Sequence, residues 1–96
     1  MIDFNKVQIL LKVIGVDSKI EHDILTTNLI VEHSEDNLKV DFIINCIEAP
    51  EPFSSIYLLK LKINDKIYFD TVPVPEPNIK EKIADCVKLI NEELLK

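Results

Sequence analysis

Apolar residues recur at nearly every second position from Leu25 to Ile47, with one break at Ser34-Glu35-Asp36-Asn37. A period of two is incompatible with one face of a helix. It suits a half-buried strand, whose successive side chains point to opposite faces. A polar break between two such runs marks a turn, so this stretch predicts a hairpin with strands at about 24–33 and 38–48. A four-residue loop pairs His33 with Leu38, then Val31 with Val40, Leu29 with Phe42, Thr27 with Ile44 and Leu25 with Cys46. These residues share one face. A slip of one residue would carry the whole set to the other face, which makes the pairing well specified.

A second hairpin is expected from about 55–63 and 66–72. A two-residue loop would place Lys62 opposite Ile67 and Lys60 opposite Phe69. A three-residue loop, Asn64-Asp65-Lys66, pairs Ile63 with Ile67 and Leu61 with Phe69, and such loops usually carry a bulge. It puts the left-handed position on Lys66. Pro50 and Pro52 lie in the connection between the hairpins.

Helical periodicity flanks the strands. Phe4, Val7, Leu11 and Ile14 share one face of a helix from about Asp3 to Ile14. Asp3 supplies an N-cap, and Gly15 sits where a left-handed C-terminal residue is wanted, with Val16 packing back on Leu11. Ile79, Ile83, Val87, Ile90 and Leu94 form the stripe of a second helix from about 79 to 95. Asn78 and Glu81 have the spacing of a capping box. Pro73, Pro75 and Pro77 are expected to end the fourth strand, Val72–Pro77 being a stiff polyproline II connector. The expected fold is therefore a single α+β domain spanning residues 1–96, of order α-β-β-β-β-α, with a four-stranded, mainly antiparallel sheet between N- and C-terminal helices.

Composition excludes several functions. The net charge is −6 and all eleven basic residues are lysine. Nucleic acid and anionic lipid need clustered cations, and bidentate phosphate contacts rely on arginine, so no direct nucleic acid binding and no membrane contact is expected. The lysine preference also fits an AT-rich genome. A single glycine leaves no Gly-rich phosphate loop. Asp3 stands where a secretory leader wants positive charge, and no apolar run approaches the length of a membrane span. Cys46 and Cys86 lack a CxxC or Cys/His context and read as free packing residues of a cytoplasmic protein.

Candidate chemistry is sparse. Neighbouring side chains in Glu21-His22-Asp23 point apart in an extended segment, and His33 lies near Glu32 and Glu35 at a strand end. Ser34, Ser54 and Ser55 lack a nucleophile-elbow context. The acids Glu48, Glu51, Glu76, Glu92 and Glu93 lack calcium-loop spacing. No catalytic, metal or cofactor residues are assigned, no cofactor is expected, and an enzymatic role is not favoured.

The informative feature is the second strand face. A two-layer fold leaves that face polar, yet here it carries Ile24, Ile30, Ile43, Ile47, Ile56 and Leu58, turning to Lys60 and Lys62 further along the third strand. Contiguous apolar residues of this kind mark an interface. The leading expectation is a non-catalytic protein-binding module, of adaptor, inhibitor or chaperone type, that forms a homodimer or docks a partner protein through this face. One alternative is a small acidic inhibitor from a phage or mobile element, acting on a nucleic-acid enzyme of its host. Another is a small-ligand binder or enzyme with a site near His33 and Glu35.

Overall fold

The structure, a computed structural model, describes residues 2–35, 37–49 and 55–96. The expected turn residue Asp36, and Pro50, Glu51, Pro52 and Ser54 of the inter-hairpin connection, lie outside the described residues.

Helix α1 (Phe4–Val13) starts where Asp3 caps it, its carboxylate accepting from the Asn5 amide at 3.0 Å. It ends in a Schellman motif: Val16 N donates to Leu11 O at 2.9 Å, Gly15 N donates to Lys12 O at 3.0 Å, and Gly15 adopts φ +88°. Both ends match the sequence expectation. Helix α2 (Ile79–Leu94) differs. A 3₁₀ turn, Glu76–Asn78, precedes it, and Asn78 has φ −104° and ψ −6° with no capping hydrogen bond from its side chain. The expected capping box is absent because Asn78 is already wound into a helical conformation, whereas a capping residue must be extended.

Between the helices lie five strands, not four: β1 (Lys19–His22), β2 (Thr26–Glu35), β3 (Leu38–Ile47), β4 (Ile56–Ile63) and β5 (Lys66–Pro75), antiparallel throughout in the order β1-β2-β3-β4-β5. The extra strand, β1, has the sequence Lys-Ile-Glu-His. Its single apolar residue gives no alternation to detect. A tight turn folds it back on β2. Asp23 Oδ1 accepts from the amides of Leu25 (2.8 Å) and Thr26 (2.7 Å), and Oδ2 accepts from Thr26 Oγ1 at 2.7 Å. These bonds hold the Asp23 carboxyl below its ordinary pKa. Ile24 and Leu25, expected within a strand, sit in this turn instead and are exposed.

The β2–β3 register is shifted by two residues from expectation. Val31 pairs with Phe42, Leu29 with Ile44 and Thr27 with Cys46, and Glu35 pairs with Leu38. A shift of two preserves faces, so the expected core set is the observed one except at the ends. The β4–β5 turn corrects the three-residue loop. Ile63 pairs with Lys66 and Lys62 with Ile67, leaving Asn64-Asp65 at the tip, with Asn64 at φ 53°. Asn64 also anchors the turn to β3: its amide donates to Lys39 O at 2.8 Å, and its Oδ1 accepts from Lys39 N at 2.9 Å. The extra residues needed to bring Leu61 opposite Phe69, and Leu59 opposite Val72, enter as two irregularities along β5. Thr71 takes φ 52° at the second. Ile67, expected in the core, is consequently exposed opposite Lys62.

Strand β5 also runs through Pro73 and Pro75 instead of ending before them. It is an edge strand, where alternate N–H groups point away from the sheet, and two prolines spaced by two residues fit there without loss of ladder bonds.

Both helices pack on one face of the sheet. Phe4, Val7 and Leu11 of α1 and Ile79, Ile83, Cys86 and Ile90 of α2 form one buried cluster with Leu29, Val31, Phe42, Ile44, Cys46, Tyr57, Leu59 and Leu61. The Phe4 and Tyr57 rings meet edge to face at 6.4 Å. The fold is thus two layers, helices over sheet.

Candidate interaction surface

The outer face follows from register. Alternate residues of each strand must point away from the helices, and the pairings align them in rows. One row runs Thr26, Ile47, Ile56, Pro75; the next Glu21, Asn28, Asn45, Leu58, Pro73; the next Lys19, Ile30, Ile43, Lys60; the last Glu32, Asp41, Lys62, Ile67. One end of the face is apolar and the other charged. Ile30, Ile43 and Leu58 are half-buried by their neighbours alone, while Ile47 is 38% and Ile56 50% exposed. Five of the six residues expected to form an interface therefore lie together. The sixth, Ile24, is 92% exposed in the β1–β2 turn, apart from these rows.

Three polar features of this face carry no signal in hydrophobic periodicity. Asn28 and Asn45 are cross-strand partners inside the apolar region, and the Oδ1 atom of each is buried without a hydrogen-bond partner. Glu32 sits directly opposite Asp41, a like-charge pair that weakens the sheet. On the neighbouring strand Lys60 reaches Asp41 at 3.8 Å, a half-exposed contact of little energetic weight. Acids on β2 and β3 thus adjoin bases on β4.

The residues with catalytic potential are dispersed. Glu21 pairs with Lys19 at 2.8 Å, His22 Nδ1 contacts Thr27 Oγ1 at 2.7 Å, and Asp23 holds its own turn. His33 Nε2 is 3.9 Å from Glu35 Oε2, beyond hydrogen-bond reach. An open cleft of about 360 Å³ adjoins them, lined by His33, Glu35, Asn37, Leu38, Asn64, Glu93, Leu94 and Lys96. Among the described residues no group of three or more His, Cys, Asp or Glu side chains gathers as a metal site. No helix among them is long and apolar enough to cross a membrane.

Both cysteines are free and buried. Burial raises the Cys86 thiol to about 12, with the adjacent Asp85 charge adding to it. Cys46 is raised by burial too, and by the charges of Glu76 and Glu48. A thiolate nucleophile needs the opposite environment. Cys46 belongs to a buried polar cluster at the sheet end. The Tyr57 hydroxyl accepts from the Ile2 amide at 2.9 Å and donates to the Glu76 carboxylate. Burial, followed by the Glu76 and Cys46 contacts, raises the tyrosine pKa. Burial alone would raise Glu76 as well, but hydrogen bonding, from Tyr57 among others, outweighs it and lowers that pKa. The cluster ties the start of α1 and the 3₁₀ turn to β4. Its members are scattered along the chain, and no spacing rule would have assembled them.

The chain matches no protein family, no curated protein and no solved structure.

Proposed function

We infer that the chain is a non-catalytic protein-binding module whose working surface is the outer face of its sheet. The observation that carries this reading is the placement of both helices on the same side. They leave Ile30, Ile43, Ile47, Ile56 and Leu58 as a contiguous apolar area, uncovered by any described part of the chain. Water-exposed aliphatic area of this kind is unfavourable by about 25 cal/mol per Å², and monomeric proteins rarely keep large contiguous patches of it. The same face has a graded edge, apolar at one end and charged at the other, as interfaces combine an apolar centre with a polar rim.

The test places charge in the middle of the face. Ile43→Lys and Leu58→Lys point away from the core, so the variants keep their circular dichroism. Association, read as molar mass by light scattering and as partner capture from the native host, is expected to fall sharply. Unchanged mass together with unchanged capture refutes the reading.

A further inference from the structure

We propose that the groove between α1 and α2 binds an acidic amphipathic helix of another protein. The groove lies on the helix layer, across the molecule from the outer sheet face, and is a second surface independent of the docking reading above.

Helix α1 is apolar on two sides. Phe4, Val7 and Leu11 point into the core, as an amphipathic helix requires. Yet Ile9, Leu10 and Val13 are 62%, 53% and 79% exposed on its other side. A helix that is apolar all round is normally covered. Leu10 also forms one wall of a groove of about 400 Å³ against α2. Ile2, Val7 and Ile83 are its buried floor, and Ala84 stands on the opposite wall. The short Ala84 side chain leaves room beside Leu10.

Charge identifies what the occupant carries. Lys6 and Lys80 are exposed at the groove, and among the described residues neither ammonium makes an ion pair. Asp3, the acid that also lines it, is engaged as the α1 N-cap. The charged residues within α1 are both lysines, Lys6 and Lys12, although the whole chain is net −6. Positive charge beside exposed aliphatic side chains fits a partner whose acids flank an apolar stripe. The same flanks continue with helical spacing: Lys6, Leu10 and Val13 on α1, and Lys80, Ala84 and Lys88 on α2. Two turns of a helix laid along them would meet lysines on both sides.

Other occupants fit less well. A second copy offers no such stripe: α1 contains no acid, and the exposed acids Glu81, Asp85 and Glu92 of α2 surround Lys88 instead of an apolar residue. A small ligand would stay partly in solvent, since Lys6, Leu10, Lys80 and Ala84 are all exposed. Small-molecule sites bury most of their ligand.

The experiment uses the full chain and two helical peptides, stapled because short isolated helices are marginal in water. Each has leucine at i, i+4 and i+7; one carries glutamate on both flanks of that stripe and the other lysine. Binding is read by calorimetry and by amide chemical-shift changes. The glutamate peptide is expected to bind at least about tenfold more tightly than the lysine peptide. The net charge of −6 by itself would give the reverse order. Shifts are expected on α1 and the first half of α2. Lys6→Glu with Lys80→Glu is expected to reverse the preference. Ala84→Phe, which fills the groove, is expected to weaken the glutamate peptide at least about tenfold. Ile43→Lys, on the outer sheet face, is expected to leave it unchanged. These three groove positions are exposed, and circular dichroism confirms that each variant folds. No saturable binding of the glutamate peptide at millimolar concentration overturns the proposal. So does an equal or stronger affinity for the lysine peptide, or a preference unmoved by the double variant. Binding that ignores Ala84→Phe, or shifts confined to the outer sheet face, places the peptide elsewhere and overturns it too. Binding to phosphatidylglycerol vesicles in place of the peptide makes a lipid surface the occupant and overturns it as well.

Discussion

The two faces of the sheet use almost the same aliphatic vocabulary and meet different fates. On one, Leu29, Val31, Phe42, Ile44, Leu59 and Leu61 are fully buried under both helices. On the other, Ile30, Ile43 and Leu58 are shielded only by their own neighbours. Residue type sets the capacity to be buried. Cover decides whether that capacity stabilises the chain or remains available to a partner.

Phe42 and Ile43 are adjacent on β3 and face opposite ways, so they test this contrast most directly. Phe42→Ala is expected to lower unfolding stability by about 3–5 kcal/mol, the usual result for an emptied core aromatic. Against a total of about 5–15 kcal/mol for a domain of this size, that brings the chain close to unfolding. Ile43→Ala, measured by urea denaturation at concentrations low enough to keep chains apart, is expected to cost under about 1 kcal/mol, in line with a substitution outside the core. Equal losses would mean that the outer face is packed as tightly as the inner one.

The polar cluster under α1 gives the next largest effect. Tyr57→Phe keeps the ring against Phe4 but leaves the Ile2 amide and the Glu76 carboxylate without the hydroxyl. A loss of about 1–2 kcal/mol is expected, as for a buried group deprived of its hydrogen bond. Amide exchange should accelerate first at the start of α1. Uniform acceleration across the sheet would show that the cluster does not anchor the helix.

Thr71 works in the other direction. A β-branched residue at φ 52° is strained, and glycine there is not. Thr71→Gly is expected to raise stability by about 0.5–1 kcal/mol, read as a higher urea midpoint. A fall would mean that the threonine side chain has packing value at the second β5 irregularity, and that β5 depends on it for its face assignment.

The last effect is absent at neutral pH and concerns the two buried thiols, Cys46 on β3 and Cys86 on α2. Cys86 has its pKa raised from 9.0 to about 12 by burial, so the folded state holds that proton more firmly than the unfolded one. Its contribution to stability is therefore complete below pH 9 and is lost as pH climbs toward 12. In alkaline melts Cys86→Ala should show a shallower decline than the native chain, and Ellman's reagent at pH 8 should leave both native thiols unmodified until denaturant is added. Rapid labelling of the folded chain would show that the inner face opens readily.

The contrast between faces also shows how far the sequence was legible. Period-two alternation identified both hairpins, and its parity assigned nearly every strand residue to the correct face. Parity is blind to an even slip, so the observed β2–β3 register lies two positions from the one that the pattern favours. Strand β1 leaves no trace in the pattern, since one isoleucine in four residues has no period. Its pairing is imposed by the Asp23 turn and by the free edge of β2. Ile67 was assigned to the core on a loop length that Asn64 overrides, by accepting a positive φ and bonding Lys39 through both its backbone and its side chain. The capping box at Asn78 lost to the 3₁₀ turn before it. The Asn28–Asn45 pair and the Tyr57 cluster were invisible, because each depends on a register or a long-range contact.

Local pattern alone determined that this chain makes helices at both ends, strands between them, and more apolar strand surface than one layer can cover. Periodicity is a property of neighbouring residues and survives any docking arrangement. Only the tertiary structure decided that both helices choose the same face. Local pattern marks the more apolar face as the core, but the other face is apolar enough at one end to take a helix as well, so the placement of both helices on one side was made by the combined packing of α1, α2, Tyr57 and the sheet. The sequence therefore indicated an excess of apolar surface, and the fold located it on an open face that is apolar at one end and charged at the other.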